Sequence, residues 1–381
     1  MKILIIRTYP NKINVNSYNV QEIGLAKALN QKGHNCDIVL FNGNHPDHTE
    51  LFKYGSEQTL KIYWLKGYSF LKNGFMPSVH NLIPCYDVIQ VHEYDQLLSW
   101  QLYRKQLKPT VIYHGPYYST FNRKYNLKCK MFDRFFLATG HPKDCIALAK
   151  SQLAEVFLRQ KGFLNAKTVG VGLDIANWAT LDTGDIIERR TQRMDSTIQL
   201  IYVGKIEARR NLSFLISVYR NLLIRYANLH LTIIGTGEPG YVQTFINSIK
   251  DLLDRGSITY TEKATQLELA SIYSDADIFL FTSHYEIFGM VIAEAMYFGL
   301  PVVSSANGGA SVLIENGISG WALPEFNEID WVEKIGLLID NKRLRQTMGH
   351  KASERINKDF IWSKLADNFI NAYQLAIDHH K

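Results

Sequence analysis

The chain predicts an α/β architecture of two doubly wound, parallel-sheet domains, and three observations carry that prediction. Its 381 residues exceed what one ordinary core organises, so two domains of roughly 170 to 200 residues are expected. Short apolar runs of strand length alternate with stretches of helical period, the pattern of parallel strands joined by crossover helices. The alternation starts twice, at Lys2 and again at Ile198, with a polar, charged stretch before the second start.

In the first half, Lys2 to Ile6 reads as a buried strand, followed by a polar loop to Tyr18, a helix through Leu29 and a strand from Asn35 to Phe41. In doubly wound sheets the ligand crevice lies at the carboxyl ends of the strands. The loop holding Asn16 and Ser17 therefore reads either as ligand contacts in that crevice or as an ordinary Asn-rich turn. Tyr86 to Val91 and Thr110 to Tyr113 are the next buried strands, each ending in a histidine, His92 and His114. Strand-end histidines are candidates for polar contacts to a ligand, and both also suit a structural role. Cys145 to Lys150 gives a further strand, and Lys167 to Val171 leads into a crossover near residue 172.

Residues 1–172 hold 22 Lys/Arg against 11 Asp/Glu, whereas residues 173–381 hold 20 against 25. A basic first half favours acidic partners such as anionic lipid or a lipid diphosphate. Nucleic acid is not expected, because no helix-turn-helix, RNP or zinc-finger pattern is present. Phe121 to Phe136 concentrates the charge. On a helical wheel Phe121, Tyr125, Cys129, Phe132, Phe135 and Phe136 share one face and Arg123, Lys130 and Arg134 oppose it. That reads as a packed outer helix with a solvated basic face, or as a patch for a membrane surface or acidic acceptor. Four cysteines without CxxC spacing suit reduced thiols and no structural metal. No apolar run approaches ~18 to 20 residues, so a cytoplasmic chain is expected, soluble or peripheral at the inner face of the plasma membrane.

Residues 177–197 read as an exposed connection. The second domain then begins with a strand from Ile198 to Val203, whose exit carries Gly204, Lys205, Arg209 and Arg210. Two cations five residues apart at a strand-to-helix loop can close on one diphosphate. His230 to Gly235 is another buried strand. The Gly235-Thr236-Gly237 turn lacks a full G-x-G-x-x-G, so no dinucleotide fingerprint is present. Asp275-Ala276-Asp277 has a D-x-D form but sits between a helix and a strand. From Trp362 to Ile377, apolar residues at helical spacing predict a terminal helix.

The central stretch is residues 281–310, FTSHYEIFGMVIAEAMYFGLPVVSSANGGA. It reads as strand end, loop, helix and next strand. Glu286 and Glu294 bracket the helix start, and the first N–H groups near Gly289, Met290 and Val291 form an anion site. E-x7-E with an internal FG, then EAM, GLPVV and GG, resembles the family 4 retaining glycosyltransferases. The alternative is that both carboxylates simply favour a helix N-terminus, each by ~0.3–1 kcal/mol.

That resemblance implies the GT-B fold, two Rossmann-like domains facing a central cleft: residues 1–172 on the acceptor side, 173–360 binding nucleotide-sugar, and 361–381 returning to the first domain. It implies a retaining, metal-independent transfer of a sugar from a nucleotide-diphosphate donor, a UDP-sugar above all, with no cofactor. The acceptor would be a glycan or lipid-linked hydroxyl in cell-surface polysaccharide or glycoconjugate synthesis. Glu286 would contact the donor sugar, Glu294 the ribose, and Phe288, Gly289, Met290 and Val291 the diphosphate. Lys205 and Arg210, with Gly204, would hold the leaving group. His114 would point toward the reacting sugar, and Glu262 and Lys263 would lie where the backbone reads the base. The usual order of the two cations is reversed here, with Lys205 first. An epimerase of the same fold and a non-catalytic nucleotide-sugar-binding subunit are the competing readings.

Overall fold

The computed structural model describes residues 1–55, 58–178, 181–192 and 197–380. The chain divides into two compact units, residues 1–174 with 361–381, and residues 175–360.

Among its described residues unit 1 holds ten strands: β1 (Lys2–Ile6), β2 (Asn35–Phe41), β3 (His48–Tyr54), β4 (Gln58–Leu65), β5 (Tyr68–Phe70), β6 (Asn73–Phe75), β7 (Val88–His92), β8 (Thr110–His114), β9 (Ile146–Ala149) and β10 (Asn165–Thr168). Eight form one sheet in the order β10-β9-β8-β7-β1-β2-β4-β3, and β5 and β6 form a separate hairpin. All pairs in the large sheet are parallel except β3 with β4. The centre is β1, whose Ile3, Leu4, Ile5 and Ile6 are fully buried. A strand covered on both faces reads as an unbroken apolar run, which is why this one was legible.

The terminal helix Trp362–His380 belongs to this unit and packs on the helix Gln21–Gln31. Trp362 lies against Gly24 and Gly172, and Phe369 meets Tyr113 edge-on with centroids 5.2 Å apart. The Tyr373 hydroxyl donates to Gln90 Oε1 at 2.6 Å beneath the sheet. A buried phenol needs such a partner.

Among its described residues unit 2 has six strands: β11 (Ile198–Val203), β12 (Leu229–Ile234), β13 (Ile258–Thr261), β14 (Ile278–Phe281), β15 (Val302–Ser305) and β16 (Gly320–Leu323). They form one wholly parallel sheet in the order β13-β12-β11-β14-β15-β16. Strand order reverses between β11 and β14, the switch point at which ligands bind in open α/β sheets.

Two expectations need correction. Within 177–197, expected as an exposed connection, residues Thr183–Gln192 form a helix. Ile186 and Ile187 are buried, and Arg190 donates to the carbonyls of Tyr273, Ser274, Phe298 and Gly299. The apolar pair and the Arg190 guanidinium together dock a helix that is otherwise polar. Phe121 to Phe136 is not one regular helix either. A 3₁₀ turn (Thr120–Asn122) precedes the helix Arg123–Phe132, and a π-turn (Asp133–Leu137) follows it. The wider turn shifts the phase, so Phe135, expected inside, is 68% exposed while Cys129 and Phe132 are buried. Phe121 is exposed as well.

No helix among the described residues is long and apolar enough to cross a membrane. The cysteines are free, with Cys85 exposed and the other three buried.

Candidate active site

In unit 2 the polar groups gather beyond β14. Its four residues are fully buried, and the chain leaves it through Thr282 and Ser283, also buried. Thr282 Oγ1 donates to the Arg210 carbonyl at 2.8 Å, and Ser283 Oγ donates to the Tyr285 carbonyl at 3.0 Å. The first bond ties the loop after β11 to the loop after β14, and the second braces the latter internally. The Arg210 guanidinium is buried and pairs directly with the Glu286 carboxylate, and its Cζ lies 5.0 Å from the centre of the Phe281 ring. Arg209 stands beside it, donating to the Tyr285 carbonyl at 2.7 Å and lying 3.7 Å from Glu286 Oε2. Glu207 pairs with Arg209 at 2.7 Å. Two guanidiniums therefore face one carboxylate.

The helix Met290–Tyr297 begins immediately afterwards. Gly289 caps it at φ 76°, a left-handed conformation that a side chain would strain. Across from it, a Cβ on Gly309 would lie 1.7 Å from the Phe288 carbonyl oxygen and 3.0 Å from the Gly289 nitrogen. The loop after β15 thus touches the start of this helix backbone to backbone. The N–H groups of Met290 and Val291, at the head of the helix, precede the first intrahelical donors and present partial positive charge. Glu294 is buried one turn in, where its Oε2 accepts from the Tyr273 hydroxyl at 3.1 Å.

The remaining unit 2 candidates are spread out. The Lys205 side chain is exposed, so the structure brings Arg210, with Arg209, to Glu286 and leaves Lys205 outside that cluster. Gly204 follows β11 directly. Phe288 is 3% exposed and its ring faces Phe360, so only its backbone is available to a ligand. Glu262 and Lys263 are exposed, 4.0 Å apart, with Thr236 Oγ1 donating to Glu262 at 3.3 Å. Asp277 binds the sheet: its Oδ2 accepts from the Gln199 N–H at 2.8 Å, and Arg345 lies 3.9 Å away.

Unit 1 carries its own constellation at the ends of β7, β8 and β9. His114 is fully buried, its Nδ1 2.6 Å from Glu93 Oε2, and its ring stacks on Phe157 with centroids 5.6 Å apart. Glu93 also accepts from the Gly115 N–H at 3.2 Å and lies 3.7 Å from Lys150 Nζ. Burial alone would push the Glu93 carboxyl up, but His114, Lys150 and these hydrogen bonds bring it down to about 2. Glu93 holds φ +60°, a conformation uncommon outside glycine and concentrated at functional sites. His92 is different in kind. It is buried, 3.3 Å from Glu22, and its Nε2 lies 3.2 Å from the Gln90 amide. Burial, helped by Lys150 and Arg7 and opposed by Glu22, lowers its pKa to about 4. It is a neutral core imidazole.

Glu93, Asp95 and His114 place one ligand atom each within 4.8 Å of one another, a spacing that suits a cation. Each carboxylate already has an ammonium, Lys150 for Glu93 and Lys128, 3.2 Å away, for Asp95. Asn16 and Ser17 are exposed in a turn: the Asn14 side chain accepts from the Asn16 N–H at 3.0 Å and its carbonyl from Ser17 at 2.9 Å. Arg123, Lys130 and Arg134 are exposed. Glu93 and Lys150 escaped the sequence reading because nothing local ties them to His114. The one available signal was an acid directly after a strand-end histidine.

Comparison with known proteins falls on the same elements. Residues 185–355, somewhat under half of the chain, match the model of the glycosyl transferases group 1. The D-inositol 3-phosphate glycosyltransferase of Corynebacterium kroppenstedtii is 27% identical over 183 residues, 47% of this chain and 40% of that protein. The chain spans about half the length of the curated relatives it matches. Among solved structures, the sucrose-phosphate synthase of Thermosynechococcus elongatus superposes with a TM-score of 0.74 at 16% identity, covering 98% of this chain and 99% of that one. The Anabaena HepE protein, solved with UDP-glucose, gives 0.67 at 18% identity, covering 98% and 100%. The fold is GT-B, with a Rossmann-like parallel sheet in each unit.

Proposed function

We propose that the protein is a retaining, metal-independent glycosyltransferase that moves a sugar from a UDP-sugar to a hydroxyl of a glycan or lipid-linked acceptor, in cell-surface polysaccharide or glycoconjugate synthesis. The observation that carries this reading is the cluster beyond β14, where Arg209, Arg210 and the head of the helix Met290–Tyr297 surround Glu286, with Glu294 one turn on. Cations and free N–H groups suit a diphosphate, and two carboxylates suit sugar and ribose hydroxyls. The group 1 match over residues 185–355 and a neighbour solved with UDP-glucose support the same donor class.

In the mechanism, the bond from the anomeric carbon to the diphosphate oxygen breaks and the electron pair leaves with the diphosphate. The acceptor hydroxyl attacks the same face, and its proton passes to the departing diphosphate oxygen. Negative charge growing on the leaving group meets fixed guanidinium and helix N–H dipoles, which need little reorganisation. Glu286 holds Arg210 in place before the donor arrives and accepts from a sugar hydroxyl afterwards. Lys205 reaches the diphosphate from the exposed side. On the acceptor side, His114 is held by Glu93.

The test is incubation with labelled UDP-sugars and an acceptor panel, in EDTA. Transfer with the anomeric configuration kept is expected. Conversion to an epimer, or binding without turnover, would replace the proposal with one of the competing activities. Lys205→Ala or Arg210→Ala should lower kcat by on the order of 10²-fold. Glu294→Ala should weaken UDP about ten- to a hundredfold in calorimetry, from the loss of a charged hydrogen bond, while Glu286→Ala spares UDP and stops turnover.

A further inference from the structure

Two elements far apart in sequence present apolar side chains to solvent next to basic ones. The first is the helix Arg123–Phe132 with its following π-turn. Its exposed stripe runs Arg123, Leu127, Lys130, Met131, Arg134, Phe135, at helical spacing, and Leu127, Met131 and Phe135 are more than half exposed. Charged and apolar residues on one outward face do not describe a helix that is merely solvated. The second is the β5–β6 hairpin, whose tip holds Phe70 at 70% and Leu71 at 67% exposure, followed by Lys72. Leu71 and Lys72 both have positive φ, 48° and 60°, where hairpin turns ordinarily use Asn and Gly. An exposed leucine is thus held in a strained turn.

Buried Gln96 ties the two together. With its nitrogen turned to the Lys72 carbonyl (3.1 Å) and its oxygen to Lys128 Nζ (2.8 Å), it bridges the hairpin tip and the helix. Asn73 braces the same tip, its Nδ2 donating to the Phe70 and Leu71 carbonyls and its Oδ1 accepting from the Leu97 N–H. The hairpin is therefore fixed beside the helix.

We infer that this face of unit 1 is a docking surface for an anionic lipid bilayer, with Phe70, Leu71, Leu127, Met131 and Phe135 entering the headgroup and acyl boundary and Arg123, Lys130 and Arg134 meeting lipid phosphates. Charge complementarity selects this occupant: the surface is basic, and residues 1–172 carry twice as many cationic as acidic side chains. Interfacial binding uses apolar area and anionic attraction together. The inference needs no donor or turnover, so it stands apart from the proposed activity.

The test is co-sedimentation of the full chain with neutral phosphatidylcholine vesicles and with vesicles containing phosphatidylglycerol, across salt. The parent should bind only the anionic vesicles and be released as salt rises through the screening range. Arg123→Ser, Lys130→Ser and Arg134→Ser combined should lose roughly a hundredfold in partition, about fivefold per cation. Leu71→Ser with Leu127→Ser and Phe135→Ser should weaken binding at least tenfold while leaving its salt dependence in place, with circular dichroism unchanged because all three are exposed. Equal sedimentation of parent and either variant overturns the inference. So does an apolar variant that changes the oligomeric state in light scattering without changing vesicle binding, which would assign the face to a second copy.

Discussion

His92 and His114 end neighbouring strands, and pattern alone made both candidates. Their surroundings separate them. His114 meets Glu93 at 2.6 Å, a residue 21 positions earlier whose left-handed backbone aims its carboxylate. His92 is held neutral, with its pKa lowered to about 4 by burial. Its ordinary value is near 6.5, so the unfolded chain takes up a proton first as pH falls. Stability from this group is complete above about 6.5 and declines toward 4, by about 3 kcal/mol. Glu22 and Glu93, both brought down to about 2 against the pull of burial, act in a lower window, full above about 4.5 and lost toward 2. The urea midpoint should therefore fall between pH 6.5 and 4, and His92→Gln should flatten that stretch while leaving the steeper fall below it. An unchanged slope in the variant would assign the decline to other groups.

At the scale of elements, the strand, loop and helix from Ile278 to Tyr297 depend on a contact from beyond the next strand. Gly309→Ala sets a Cβ against the Phe288 carbonyl and the Gly289 nitrogen, both backbone. Neither can yield as a flexible side chain would. A loss of ~1–3 kcal/mol in the unfolding free energy from urea titration is expected, together with a more than tenfold weaker UDP affinity in calorimetry, because the helix head moves. Retained UDP affinity would detach this contact from the site. Elements of this kind were legible where burial covers both faces, as at Ile3 to Ile6 and Ile278 to Phe281. They were not where one face is wet: β3 alternates exposed and half-buried residues, and Thr183–Gln192 offers only Ile186 and Ile187 as an apolar face, with Arg190 hydrogen-bonding to carbonyls beneath it. The π-turn Asp133–Leu137 leaves no mark in apolar period, so Phe135 was placed on the wrong face. The Arg210–Glu286 pair spans 76 residues, and no local pattern encodes it.

At the scale of the whole molecule, the two units differ in how the chain builds them. Unit 2 is one continuous stretch, whereas unit 1 takes residues 1–174 and then residues 361–381. Trp362, Leu365, Phe369 and Tyr373 are buried in unit 1, and each large apolar side chain removed from a core costs about 2–5 kcal/mol. Ending the chain at Phe360 should therefore exceed the ~5–15 kcal/mol that a domain holds in total. Hydrogen exchange would show it: backbone amides of β1, β7 and β8 should lose protection in the shortened protein while those of β11, β12 and β14 keep theirs. Uniform loss, or none, would contradict the division. The same feature orders events on the ribosome. The first 174 residues emerge with their sheet complete but the seat of the terminal helix bare, and they wait roughly 10–40 s at ordinary elongation rates for the segment that covers it. Unit 2 is made second and can finish first, so the nascent chain carries an open apolar groove while residues 175–360 are added, a surface of the kind chaperones shield.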